Sequence, residues 1–288
     1  MNLSIVIPTL NRSKNIKELL LSINSALRYE PDLKNKISLE TIVIDQSEDE
    51  KTRNICKEFS VKFFKSEKKG LSLSRNIGLD KSLFEFLIFF DDDVILKENY
   101  FKELLLMFEK YKNFDSFTGK ILTLEKNKPY SRLQNNLPKW LDIHSFDQVL
   151  SSGTGFSSSY IDEIGKFDER FGLGSLYGGS EEGDIILRGL NNKKRIFYNP
   201  DLISYHPEEK GEFKFSLSRF KRGFSYGKGR GALMKKHQES LKLIITIKNF
   251  LNPILGFLYN LLKLNLNLSS ENLGSFFGRI NGYFLFKK

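Results

Sequence analysis

The first ninety residues alternate short apolar runs with longer stretches of helical period. Leu3 to Ile7 reads as a short apolar run, the pattern of a strand buried on both faces. Ile16, Leu19, Leu20, Ile23 and Leu27 then recur at helical spacing, with Ser13 placed as an N-cap. Leu39 to Ile44 forms a second strand. Ser47 and Glu50 form a capping-box pattern that predicts a short helix after it. Val61 to Phe64 is a third strand. A polar loop through Lys68, Lys69 and Gly70 leads into a helix over 72–83, and Phe86 to Phe90 is a fourth strand. This alternation predicts an α/β fold with a mostly parallel sheet and helices on both faces.

Past residue 96 the alternation loosens. Tyr100, Phe101, Leu104, Leu105, Phe108 and Tyr111 make one helical face, and Phe117 to Leu124 predicts a strand. Residues 126–150 are irregular, and the segment 151–159 (SSGTGFSSS) is small and polar, suited to close backbone approach. At 178–190 a glycine loop opens the acidic start of a helix, and two short strands follow at 195–198 and 202–205. In the tail, Lys242, Thr246, Asn249, Pro253, Gly256, Asn260 and Lys263 are spaced alternately by four and three, one narrow stripe on helix. Asn252–Pro253 predicts a cap and restart between two helices. Nearly everything else over 241–264 is apolar. That wide arc needs cover, either from the protein's own core, from another subunit or from a membrane surface.

Composition narrows the class. A chain of 288 residues, 40% hydrophobic and 28% charged, can bury a full core. The patterning divides it into a catalytic-sized domain over 1–210 and a basic, amphipathic helical extension over 211–288. Cys56 is the sole cysteine, so no intramolecular disulfide can form, and a reducing compartment fits. The first apolar run is too short for a secretory signal, and no stretch reaches the ~18 uncharged apolar residues that span a bilayer. The expected location is cytoplasmic, with the inner membrane face left open. Between Lys210 and Lys236 stand nine Lys/Arg against one acid, Glu212, a net +8 of the chain's +10. Such a segment suits diphosphate, acidic lipid headgroups or nucleic acid.

Candidate chemistry sits at strand ends, where open α/β sheets bind ligands. Pro8, Thr9, Asn11 and Arg12 follow the first strand, Asp45 to Asp49 the second, and Asp91, Asp92 and Asp93 the fourth. With strand alternation, Asp91 and Asp93 share a face and Asp92 points away. Two carboxylates on one side make a hard oxygen site for Mg²⁺ or Mn²⁺. A solvated acidic loop is the plainer alternative. A phosphatase of the haloacid dehalogenase type also ends an apolar strand in Asp-x-Asp, but normally on its first strand, whereas three precede it here. A basic protein for nucleic acid or acidic membrane would explain 210–236 but not the clustered acids, and nucleic acid is not expected as a partner.

Five segments, SIVIPTLNR (4–12), IVIDQSEDE (42–50), KGLSLSRNIGL (69–79), LIFFDDDVIL (87–96) and GGSEEGDIILRG (178–189), occur in order and spacing that resemble the inverting family 2 glycosyltransferases of the GT-A fold. The resemblance covers about residues 1 to 210. It implies a nucleotide-sugar donor, a divalent metal and a single displacement. Pro8, Thr9, Asn11 and Asp45 would hold base and ribose, and a carboxylate accepting the N3–H of uracil or thymine favours a UDP- or dTDP-linked sugar. Arg75, in SRNIG, would serve the diphosphate through its fork of donors, with a surface salt bridge as the alternative. Asp91 and Asp93 match the family's Asp-x-Asp, with Asp93 on the metal, Asp91 on ribose and metal, and Asp92 beside the donor. Glu181 and Glu182 match its acidic pair, usually Glu-Asp, and Glu182 stands where the base stands. The Glu-Glu departure leaves Glu181 or an inactive transferase-like subunit as alternatives, and helix capping as a structural role. Asp184 and Arg188, four apart, would pair. His206 would lie near metal or diphosphate. Gly153, Thr154, Gly155 and Trp140 would form the acceptor pocket, although burial is the plainer role for Trp140. The implied acceptor is a glycan or lipid-linked hydroxyl in surface polysaccharide or glycolipid synthesis. Membrane or homo-oligomer contact would run through 241–264.

Overall fold

A computed structural model describes residues 1–131, 133–150, 152–208 and 211–287. Nine strands form one sheet: β1 (Asn2–Thr9), β2 (Ser38–Asp45), β3 (Lys62–Lys65), β4 (Phe86–Phe89), β5 (Ile95–Leu96), β6 (Ser116–Thr123), β7 (Lys139–Trp140), β8 (Thr154–Ser157) and β9 (Ile196–His206). Their order is β3-β2-β1-β4-β8-β6-β9-β5, with β7 paired to β9 off that path. The first four neighbours are parallel, as the apolar runs require. Beyond β4 the sheet is mixed: β8 runs antiparallel to β4 and β6, and β9 parallel to β6. The helices are α1 (Ser13–Leu27), α2 (Leu33–Lys36), α3 (Lys51–Glu58), α4 (Leu71–Lys81), α5 (Tyr100–Lys110), α6 (Ser158–Ile164), α7 (Glu181–Asn191), α8 (Leu217–Lys236), α9 (Leu243–Leu262) and α10 (Leu266–Leu285).

The described residues divide into two compact units. The first holds 1–69, 73–166 and 188–208, and the second holds 70–72, 167–187 and the C-terminal region from 209. The acidic start of α7 therefore groups with the C-terminal helices, although it lies inside the 1–210 span. In the first unit, Leu3, Ile5 and Ile7 of β1 pack with Ile16, Leu19 and Leu20 of α1 and with Phe101 and Leu104 of α5. Cys56 is buried in this core, and burial pushes its thiol up to about 12, so it is chemically quiet.

Local structure departs from expectation at several points. Arg12, not Ser13, is the N-cap of α1, and no side chain caps it. The capping box does not form: α3 begins at Lys51, and the Ser47 hydroxyl is committed to Asp45 and to the Asn11 backbone N–H. The two short strands after α7 are one, β9, whose register against β6 slips between Thr118 and Lys120. Residue 151 lies outside the described residues, and 154–157 of the small, polar segment form a central strand, β8, because Gly155 leaves room for the Phe117 ring.

In the second unit, α8 and α10 pack backbone to backbone. Gly223, Gly227 and Gly231 lie against the carbonyls of Glu271, Ser275 and Arg279, and Gly274, Gly278 and Gly282 lie against those of Phe220, Phe224 and Lys228. A Cβ at any of the six would collide with main chain. α9 does not restart at Asn252–Pro253; it runs through Pro253. Proline lacks an N–H and orphans the carbonyl four residues earlier. That carbonyl is Asn249 O, and the Arg279 guanidinium of α10 donates to it. The stripe from Thr246 to Asn260 is thus the inner face of α9, with Lys242 and Lys263 exposed at its ends, and the apolar arc faces out.

Candidate active site

The strand ends converge through register. Thr9 pairs with Asp45 as the last residues of β1 and β2. Val6 pairs with Phe89, so three residues further along both chains Thr9 meets Asp92, and its hydroxyl donates to Oδ2 at 2.6 Å. Asn11, in left-handed conformation at φ 58°, donates its backbone N–H to the Ser47 hydroxyl at 2.7 Å, tying the first loop to the second. Asp45 is fully buried and accepts from Ser47 N–H at 3.0 Å, Ser47 Oγ at 2.5 Å and Lys65 Nζ at 3.5 Å. It does not cap α3, which starts six residues later. Pro8 is buried within β1.

The aspartates do not follow strand alternation. β4 ends at Phe89, and Asp91 to Asp93 lie in a turn, where Val94 N–H reaches Asp91 O at 3.4 Å. Asp92 is therefore not the outward, solvated member; it is buried, held by Thr9 and by Arg12 at 3.0 Å. Asp91 accepts from Arg75 at 3.0 Å. Arg75 is itself buried, so its ion pair is not a surface one. Asp93 accepts from Arg12 at 2.6 Å and lies 3.4 Å from His206 Nε2. β5 runs antiparallel to β9 with Ile95 opposite Tyr205, which brings Asp93 beside the end of β9. The His206 Nδ1–H donates to the Pro207 carbonyl at 2.8 Å, leaving Nε2 to face the carboxylate. Sequence reasoning gave Arg12 no role, yet its guanidinium spans two of the three acids. The signal was there, an arginine closing the first strand-end segment.

These partners split the acids electrostatically. Burial drives Asp92 up to about 6, with Asp93 adding to it and Thr9 and Arg12 only partly offsetting it. Burial works on Asp93 in the same direction, but His206 and Arg12 together outweigh it and hold that carboxyl below its usual range. Burial opposes charge on His206, and Asp93 overcomes it, so the imidazole lies above its ordinary value.

In the second unit, Glu181 and Glu182 open α7, Glu181 buried and Glu182 half-buried. Both lie inside the helix, so neither is its cap. Asp184 is fully buried and accepts from Lys236 Nζ at 2.7 Å and His237 Nε2 at 2.9 Å. Lys236 also reaches Asp168 Oδ2 at 2.8 Å, and Arg170 donates to that same oxygen at 2.7 Å and to Oδ1 at 3.0 Å. Where the sequence suggested an Asp184–Arg188 pair, each has tertiary partners: Arg188 donates to the carbonyls of Ile164, Gly165 and Lys166. No local sequence pattern reveals this network, because its members lie far apart in sequence.

The sequence model of glycosyl transferase family 2 matches residues 4–163. The chain belongs to this family. Solved structures agree on the fold. S. aureus TarS superposes with a TM-score of 0.61 at 16% identity, over 94% of this chain and 54% of TarS. The TarS fragment 1–349 gives 0.60 at 17% identity, and its complex with UDP-GlcNAc gives 0.59 at 16%, covering 89% and 90% of those chains. This chain thus spans about half the length of that TarS chain. Among curated protein sequences no match is found. The architecture is the GT-A fold, a curled α/β sheet flanked by helices, with a C-terminal helical region.

Within that family fold the expected acceptor residues are dispersed. Thr154 and Gly155 are interior to the sheet; the Thr154 hydroxyl bonds Thr118 and Leu150 O, and Phe117 covers Gly155. Gly153 joins the same ladder, donating to Phe89 O at 2.8 Å. Trp140 is neither buried nor near the acids. It is 40% exposed on β7, beneath the Arg195 guanidinium and opposite Phe197, nine residues along β9 from His206. These four residues do not line one common pocket.

Proposed function

We propose that this family 2 glycosyltransferase moves a sugar with inversion from a uridine-diphosphate donor to a hydroxyl of a glycan or lipid-linked acceptor. The observation that carries the reading is the convergence of Thr9, Asp45, Asp91–Asp93 and His206 at one end of the sheet. TarS is known in complex with UDP-GlcNAc and with UDP, which favours UDP over dTDP. Asp45 would read the base, and Arg75 with Asp91 would hold the ribose–diphosphate side. Glu182 would be the base: the sequence resemblance puts it at the family's position, and it is the more exposed of the acidic pair. It would take the acceptor proton as the oxygen attacks the anomeric carbon.

Among the described residues no group of three or more His, Cys, Asp or Glu is placed to hold a metal ion. Asp93 and His206, 3.4 Å apart, would supply two protein ligands to Mn²⁺ or Mg²⁺, the rest coming from substrate phosphates and water. When bound, such an ion would neutralise charge on the leaving diphosphate. Arg12 is half-exposed and would have to leave Asp93 for that carboxylate to bind the ion.

We place this activity on the cytoplasmic side, in surface polysaccharide or glycolipid synthesis. The test is a panel of nucleotide sugars read by thermal shift with and without Mn²⁺. UDP and one UDP-sugar should raise the midpoint only with metal. Hydrolysis of simple phosphate monoesters with no response to any nucleotide sugar would sink the reading.

A further inference from the structure

Helix α9 carries its apolar residues on the outside. Leu243, Ile247, Leu251, Leu255, Leu258 and Leu262 follow one another at helical spacing, and each is 47% to 84% exposed. The opposite face is polar and occupied. Asn249 is buried, accepting from Arg230 at 2.7 Å, and Ser269 Oγ donates to Phe257 O at 3.1 Å. α9 cannot simply rotate to bury its leucines, because the Pro253 gap at Asn249 O is filled by Arg279. Exposed apolar strips of this length mark interaction surfaces.

Charge identifies the occupant. Residues 211–287 carry thirteen Lys/Arg against three acids, Glu212, Glu239 and Glu271, a net of +10 that equals the charge of the whole chain. α9 itself contains no Asp or Glu, and Lys242, Lys248 and Lys263 are exposed along it and at its ends. Pairing with a second copy through this face would bring two such regions together against their repulsion. An acidic lipid surface instead attracts them while accepting the leucines, and lysine stems reach from the apolar layer to the headgroups. No helix of the described residues is long and apolar enough to cross a membrane, so the mode is in-plane. We propose that the outer face of α9 docks the protein on an anionic lipid bilayer.

The experiment floats the full chain with vesicles of phosphatidylcholine alone and with vesicles also containing phosphatidylglycerol. The chain should float with the anionic vesicles and much less with the neutral ones. A Leu251→Glu, Leu255→Glu double variant should lose about tenfold or more of the bound fraction. A second readout does not depend on that variant folding. Because Cys56 is buried, Leu255→Cys offers one accessible thiol for an environment-sensitive dye. Its emission should shift to the blue on anionic vesicles only. A chain that floats with neither vesicle, or with both equally, overturns the proposal. So does a concentration-dependent dimer, abolished by the double variant, with no flotation. No arm uses a nucleotide, so failure here and failure of the transferase reading are separate results.

Discussion

Where β1 and β4 end, a single guanidinium sits between two carboxylates. Arg12 bonds both Asp92 and Asp93, and their mutual repulsion is thereby shared out unequally. Asp92, with a folded value of about 6 against an ordinary 3.8, favours the folded state in acid and loses that contribution as pH rises towards 6. Asp93 is held low, so its contribution is present above 3.8 and lost as pH falls through its folded value. His206 lies above 6.5; its pairing with Asp93 contributes fully below 6.5 and is lost as pH rises through the folded value. The expected outcome is an imidazole that titrates above 6.5 in the metal-free chain by NMR and moves down towards it in Asp93→Asn. An unmoved His206 would remove Asp93 as the cause. The place of the triplet at a strand end was legible in sequence, but the partners of each acid within it were not. Alternation fails once the strand stops at Phe89, and nothing local shows where it stops.

At the scale of elements, the parallel half of the sheet was legible because buried parallel strands read as apolar runs. In the mixed half β6 and the two runs of β9 were legible too, but β8 was not: it is small and polar in sequence and central in fact, since the Phe117 ring supplies the bulk that Gly155 lacks. The seam between α8 and α10 was open to reading, with glycines four apart at 223, 227 and 231 and at 274, 278 and 282. Spacing alone does not say which helix faces which. Gly278→Val would press a branched side chain onto the Phe224 carbonyl, and the chain should lose about 1–3 kcal/mol or more in urea unfolding. A value within error of the parent would show that the helices can separate at no cost. The join between α7 and α8 makes a second prediction. Asp184 is fully buried with Lys236 and His237 on one oxygen, and Asp184→Asn takes away one of the two carboxylates that hold the ammonium, Asp168 being the other. The loss should be about 1–3 kcal/mol, the range for weakening a buried charge-assisted hydrogen bond, and part of it should be recovered in Asp184→Asn combined with Lys236→Met. Equal losses in the single and double variants would mean that the ion pair is not what holds the helix start.

For the molecule as a whole, sequence reading divided the chain by composition at residue 210, whereas the compact units interleave. Contacts assign 167–187 to the C-terminal unit because Asp168 and Asp184 are bound by Lys236, a pairing across 68 and 52 positions that no local pattern reveals. Ligand linkage tests the proposed roles together. A ligand that binds only the folded state stabilises it by about 2.7 kcal/mol at a hundred times its dissociation constant. UDP with Mn²⁺ should therefore raise the midpoint of the parent chain, and Asp93→Ala should abolish most of that rise by removing the carboxylate beside His206. Glu182→Gln is nearly isosteric and should keep the rise in full while transfer falls by about 10²–10⁴, the range expected for a lost general base. The two variants thus separate holding from reacting. If Glu182→Gln loses the UDP-dependent rise, Glu182 belongs to the donor site. If it transfers at the parent rate, Glu181 becomes the base to test, since the two stand side by side at the start of α7.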